Sequence, residues 1–196
     1  MTALAAAVLR KSRESAATAE AFFAAEAERL VACGRAMAGA FDAGGRLYAL
    51  GNGGSACDAE HMAVEFMHPV LVKRQALPAL ALGGGGALPS AIGNDRDFSF
   101  VFADQLRQLA RTGDIALGIS TSGKSASIVR ALVAARECGL MTVGFSGRDG
   151  GRMSELCDFC FTVSSFSIHR IQETHATLLH VLWDLIHLIR GEEDVL

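Results

Sequence analysis

The chain has 196 residues, 51% of them hydrophobic and 20% charged, with a formal net charge of −3. That balance excludes a disordered chain, and the length allows one domain with a substantial core. The small negative charge argues against a general nucleic-acid binder that works by phosphate neutralisation, and no apolar run reaches the roughly 18 residues of a membrane span.

Met1 to Val8 is apolar but short and lacks the basic start of a signal peptide, so a cytoplasmic location is the expectation. Residues 3–43 are dense in alanine and glutamate. Phe22, Ala25, Leu30, Cys33, Met37 and Phe41 recur at helical spacing, which predicts a helical segment with a break somewhere in Ser12 to Thr18. Its surplus of apolar positions suits packing against another subunit as well as against its own core. Gly44-Gly45 ends it.

Arg46 to Leu50 is the first expected strand. The glycine turn Gly51-Asn52-Gly53-Gly54-Ser55 follows, and then a helix that fades near Met67-His68-Pro69. A basic patch, Val72-Lys73-Arg74, precedes a second apolar run, Leu77 to Leu82. Gly83 to Gly86 reads as a flexible turn. Asn94 and Asp95 read as turn formers, and Asp97 as the cap of a helix from Phe98 to Ala110. Ile115 to Ile119 is the third strand, the turn Ser120-Thr121-Ser122-Gly123-Lys124-Ser125 follows, and a clean helix covers Ala126 to Glu137. Leu140 to Phe145 is the fourth strand, Arg152 to Leu156 a short helix, and Cys157 to Val163 the fifth strand. The last helix runs from about His169 to Arg190, with the acidic tail 192–194 frayed beyond it.

Repeating strand–helix units with continuous apolar strands predict an α/β fold. The expected architecture is a doubly wound, mainly parallel five-stranded sheet with helices on both faces and an N-terminal helical extension. Residues 1–196 read as one domain, with 1–43 the helical extension and 44–190 the α/β core. Ligands in such folds bind beyond the carboxyl ends of the strands, where both polar turns lie.

The two turns share a chemistry. Each opens a helix whose free N–H groups and partial positive charge attract an anion. The second adds three serines and a threonine, although a helix cap alone needs one hydroxyl, from Ser122 or Ser125. After the first turn, His61 and Glu65 are four apart and share a helix face. In the last helix, His180 sits in an apolar run, where partial burial and a partner are expected, His61 and Glu65 being the candidates, while His187 reads as part of the packing stripe. A carboxylate and imidazoles beside a phosphate ester can move protons or hold a divalent metal. Five cysteines at scattered spacing do not suggest a disulfide framework. Cys157 and Cys160 form a C-x-x-C, a spacing of redox pairs and half zinc sites. With no second pair, the favoured reading is two small residues around a short strand.

These motifs, GNGGSACDAEHMAVE at 51–65, GND at 93–95, ISTSGKS at 119–125, GRDGG at 147–151 and RIQETH at 170–175 with His180, together resemble the sugar isomerase (SIS) family over nearly the whole chain. Within it the resemblance is to phosphoheptose isomerases, which interconvert sedoheptulose 7-phosphate and an aldoheptose 7-phosphate at the start of nucleotide-activated heptose synthesis. It implies that Asn52, Gly53, Gly54, Ser55, Ser120, Thr121, Ser122 and Ser125 hold the sugar phosphate, with Asn94 and Asp95 at the sugar end. It implies a zinc ion on His61, Glu65, Gln172 and His180, with Glu65 and His180 as the acid–base pair. It also implies a homotetramer with shared sites. His169 departs from the family pattern, which often has an acid there.

One helix separates Gln172 from His180 by eight residues, about 12 Å along a straight axis. A helix that starts late, or a site drawn from more than one chain, reconciles the two with one ion, and the shared site is favoured. Two other readings compete. A non-catalytic tetrameric SIS protein that binds a protein partner, such as a replication-initiation factor, tends to lose metal or acid–base positions, and all four are present here. A sugar-phosphate-sensing regulator brings a DNA-binding segment, and the first 45 residues contain no basic recognition helix.

Overall fold

The computed structural model describes residues 1–70 and 73–194. The chain opens with α1 (Ala3–Asp42), then β1 (Leu47–Gly51), α2 (Gly54–Met67), β2 (Ala79–Leu82) and α3 (Ala87–Asp95). A single 3₁₀ turn (Phe98–Phe100) leads to α4 (Ala103–Leu109), β3 (Ile115–Ser120), α5 (Ala126–Glu137) and β4 (Met141–Gly147). The chain closes with α6 (Met153–Leu156), β5 (Phe159–Val163) and α7 (Ile168–Ile189). The five strands form one sheet in the order β2-β1-β3-β4-β5, and every pairing is parallel. The expected α/β architecture is therefore present, with α1 as the N-terminal helix.

Alternation along the strands divides the core in two. Leu47, Ala49, Ile115, Leu117, Val143 and Phe145 face α1, α2 and α7. Tyr48, Leu50, Ala116 and Cys160 face α4 and α5. All residues of β1 and β3 are buried, which is why these strands read as unbroken apolar runs. In this strand order the connections leaving β1 and β3 go to opposite faces of the sheet. The crevice between their carboxyl ends is the switch point at which such sheets bind ligands.

Several local expectations change. Helix α1 is continuous through Ser12 to Thr18, because that stretch has neither glycine nor proline, and Thr18 satisfies its hydroxyl within the helix by donating to Glu14 O at 2.8 Å. A helix, α3, covers residues 87–95, where turn residues suggested a loop. Pro89 lies in its first turn, where the missing N–H needs no intrahelical partner. Asp97 caps the 3₁₀ turn rather than a long helix, accepting from Ser99 N at 2.8 Å.

Of the expected basic patch, Val72 lies outside the described residues, Lys73 is exposed and Arg74 is buried. Arg74 donates to Asp184 at 2.5 Å and lies 4.5 Å from the centre of the Trp183 ring. It is an internal ion pair rather than a surface cation. The tail is not frayed at its start: Glu192 Oε1 lies 3.0 Å from Nδ1 of the buried His187, and Glu193 O accepts from Arg74.

Candidate active site

The first wall is the turn after β1. A Cβ on Gly51 would lie 2.1 Å from Ser55 O, so only glycine lets the strand pass directly into α2. Gly53 has a φ of 57° and stands at the N-cap of α2 without a capping side chain, a conformation that glycine adopts freely. Ser55 is buried, and Asn52 Nδ2 donates to Ser127 Oγ at 2.9 Å. That bond ties the first turn to the opening of α5, across the switch point.

The second wall is the turn after β3. Ser120 Oγ lies 3.0 Å from Ser125 Oγ and 3.4 Å from Ser122 Oγ. Ser125 occupies the N-cap of α5 yet makes no capping hydrogen bond. Its hydroxyl turns toward its neighbours, so a cap does not account for the serines. Three hydroxyls meet at the positive end of a twelve-residue helix, the arrangement that receives a phosphate. The turn is held rigidly. Gly123 has a φ of 62°, and a Cβ there would lie 2.0 Å from Gly150 O. Lys124 Nζ pairs with Asp149 at 3.0 Å.

The third element is a side-chain cluster between α2 and α7. His61 Nε2 lies 3.2 Å from Glu65 Oε1 and 3.3 Å from His180 Nε2. The two rings meet edge to face at 4.8 Å. One ligand atom from each of His61, Glu65 and His180 lies within 4.8 Å of the others. Two imidazole nitrogens and a carboxylate turned toward one point are a donor set that fits zinc. His180 has the expected partner in His61, but it is exposed rather than partly buried as its apolar neighbours suggested. It stands on the rim of an apolar cavity of about 460 Å³ between α1 and α7, lined also by Phe23, Ala27, Val181 and Leu188.

Gln172 is elsewhere. A Cβ on Gly54 would lie 2.4 Å from Gln172 Nε2, which puts Gln172 against the start of α2. Helix α7 already begins at Ile168, so a late start does not bring Gln172 to His180, and the two stand about 12 Å apart along the axis. Asn94 and Asp95 are exposed at the end of α3, where Asn94 Nδ2 donates to Asp95 Oδ1 at 2.8 Å. Thr121 is half-buried in the serine turn, and His169 is exposed in the first turn of α7.

Two residues that sequence reasoning passed over stand beside these groups. Asp58 is one turn before His61 on α2, with a buried Oδ2 that has no partner among the described residues. Burial raises its pKa against the opposing pull of His61. Its i, i+3 spacing to His61 was a legible signal. His175 is fully buried in α7 and donates from Nε2 to Ser146 O at 2.9 Å. Burial lowers its pKa to about 4, against the raising effect of that bond, so it is neutral and structural.

The profile of the SIS domain matches residues 12–147. A phosphoheptose isomerase of Desulfovibrio desulfuricans is 47% identical over 174 residues, 89% of this chain and 83% of that one. A phosphoheptose isomerase of Aquifex aeolicus is 40% identical over 174 residues, 89% and 91% of the two chains. Among solved structures, phosphoheptose isomerase from Neisseria gonorrhoeae superposes with a TM-score of 0.88 at 35% identity, covering 93% of this chain and 98% of that one. The chain belongs to the SIS domain family, groups within it with the phosphoheptose isomerases, and is an isomerase of the aldose–ketose class.

Proposed function

We propose that the chain converts sedoheptulose 7-phosphate to D-glycero-D-manno-heptose 7-phosphate, or a close epimer, through an enediol, as the first step toward a nucleotide-activated heptose. The observation that carries this reading is the bond from Asn52 to Ser127. It joins the glycine turn to the start of α5, beside the three converging serine hydroxyls, and makes one anion site of two turns. The phosphate accepts hydrogen bonds from Ser120, Thr121, Ser122 and Ser125 and from backbone N–H groups of Gly53, Gly54 and Ser55. Asn52, Asn94, Asp95 and Gln172 hold the sugar hydroxyls.

In the reaction Glu65 removes a proton from C1 of the ketose, and the resulting enediol takes it back at C2. His180 moves the second proton between the oxygens on C1 and C2. Both hands of the transfer are needed because a C–H proton beside a carbonyl is only weakly acidic. Zinc held by His61, Glu65 and His180 would polarise the sugar carbonyl.

Gln172 completes that site from a neighbouring copy in a homotetramer, with α1 and the apolar cavity beside His180 forming part of the contact. The separation of Gln172 from His180 on one straight helix supports this arrangement. Incubation with sedoheptulose 7-phosphate, with and without a chelator, followed by NMR of the product, tests the activity. An aldoheptose 7-phosphate that disappears on chelation is expected. No aldoheptose under any metal condition overturns the assignment.

A further inference from the structure

The C-x-x-C at the entry to β5 is more than two small residues. Extended residues three apart point to opposite faces, but the chain bends at Asp158. Asp158 Oδ2 accepts from Thr142 N at 2.8 Å and from Thr142 Oγ1 at 2.9 Å, while Asp158 N donates to Thr142 Oγ1 at 3.0 Å. The bend brings Cys157 and Cys160 together above Gly144 of β4. A Cβ on Gly144 would lie 2.7 Å from Cys157 Sγ and 3.3 Å from Cys160 Sγ, so glycine leaves the space that both sulfurs fill. Both sulfurs therefore crowd the same point of β4, within 3.3 Å of it.

The surroundings stabilise one thiolate. Cys160 Sγ lies 3.5 Å from Ser146 Oγ and 4.0 Å from Thr162 Oγ1. Arg29 donates to the Cys160 carbonyl at 3.0 Å and adds its charge nearby. The adjacent Cys157 thiol, with the hydroxyls of Ser146 and Thr162, lowers the Cys160 pKa to about 6 against the effect of burial. Cys157 is raised by the adjacent Cys160 and by burial, and keeps its proton. A stabilised thiolate beside a thiol that holds its proton is the arrangement of an attacking and a resolving cysteine.

We infer that Cys157 and Cys160 are a redox-active dithiol that peroxide closes reversibly to a disulfide, on the sheet face opposite α2 and α7. The Cys160 thiolate attacks one oxygen of hydrogen peroxide and the O–O bond breaks. The departing hydroxide takes up a proton as water, leaving a sulfenic acid on Cys160. Cys157 sulfur then attacks the Cys160 sulfur, its proton leaves with the hydroxyl as a second water, and the S–S bond forms. Two thiols give up two electrons, and peroxide is reduced to two waters. Peroxide is small enough to enter past the half-buried Cys157.

Trypsin releases both cysteines in one peptide, residues 153–170, so wild-type protein is sufficient for the test. It is treated with a small excess of hydrogen peroxide, blocked with a maleimide, digested and mapped by mass. The expected peptide carries no maleimide, is about 2 Da lighter than the dithiol form, and regains two labels after dithiothreitol. In Cys157→Ser the Cys160 sulfenic acid has no resolving thiol and is captured by dimedone, which wild type escapes. Retention of both labels on this peptide while Cys57 or Cys138 oxidises overturns the proposal. So does a stable sulfinic acid on Cys160 of the wild type in place of the disulfide.

Discussion

The two parts of the candidate site are built in different ways. The part proposed to hold the phosphate, the phosphate end, is made of backbone and short hydroxyls. Gly51, Gly53 and Gly123 adopt turns closed to other residues, and Asn52 locks one turn to the other through Ser127. The part proposed to carry the reaction, the reaction end, is made of the side chains of His61, Glu65 and His180, projecting from α2 and α7. His180 there is exposed, and Gln172 stands at the other end of the same helix pair. The turns of the cradle are tied together within one chain. The cluster projects from helix surfaces, with His180 exposed. Substitutions at the two ends should therefore fail differently.

The largest effects belong to the reaction end. Glu65→Gln and His180→Gln should each lower kcat by about 10²–10⁴-fold with KM and thermal unfolding little changed. Near-normal turnover in either variant removes its assigned role. At the phosphate end, Gly123→Ala forces a side chain into Gly150 O and should cost more than about 2 kcal/mol of stability, read by urea unfolding. An unchanged midpoint contradicts the rigid turn.

Beneath the two ends, His175 gives a pH signature. Its folded pKa, about 4, lies below the ordinary 6.5, so the unfolded chain takes up its proton first as pH falls. Its contribution, up to about 3 kcal/mol, is present above 6.5 and is lost as pH falls through 4. Stability measured between those values should fall more steeply in wild type than in His175→Gln. Ser122→Ala and Ser125→Ala should each raise KM about tenfold at little cost in kcat, the effect of one lost hydrogen bond to a charged group. A fall in kcat at unchanged KM would move these hydroxyls from anchoring to chemistry.

Much of the fold was legible because the strands are buried on both faces. Leu47 to Leu50 and Ile115 to Ile119 announce themselves as apolar runs, and α5 is bounded as its pattern predicts. Helix α3 was hidden because it buries nothing among the described residues, so it carries no amphipathic stripe, and the glycines before it, with Gly93 and Pro89 inside it, read as loop. Arg74 looked like surface because a sequence does not reveal Asp184 and Trp183 arriving from 110 residues away. The motifs named the serines and the His61/Glu65 pair. The position of His180 on the rim of an apolar cavity required coordinates, because an apolar run in a helix looks the same whether its own core or a neighbour covers it.

Division of the reaction end between chains can be tested by complementation. Gln172→Ala and His180→Gln proteins, each inactive alone, are denatured together, refolded as mixed oligomers and assayed with sedoheptulose 7-phosphate. If Gln172 serves the His61–Glu65–His180 cluster of a neighbour, hybrids contain some sites with both native residues, and activity returns in proportion to mixing. If each chain builds its site alone, every site carries one lesion and the mixture stays inactive at all ratios.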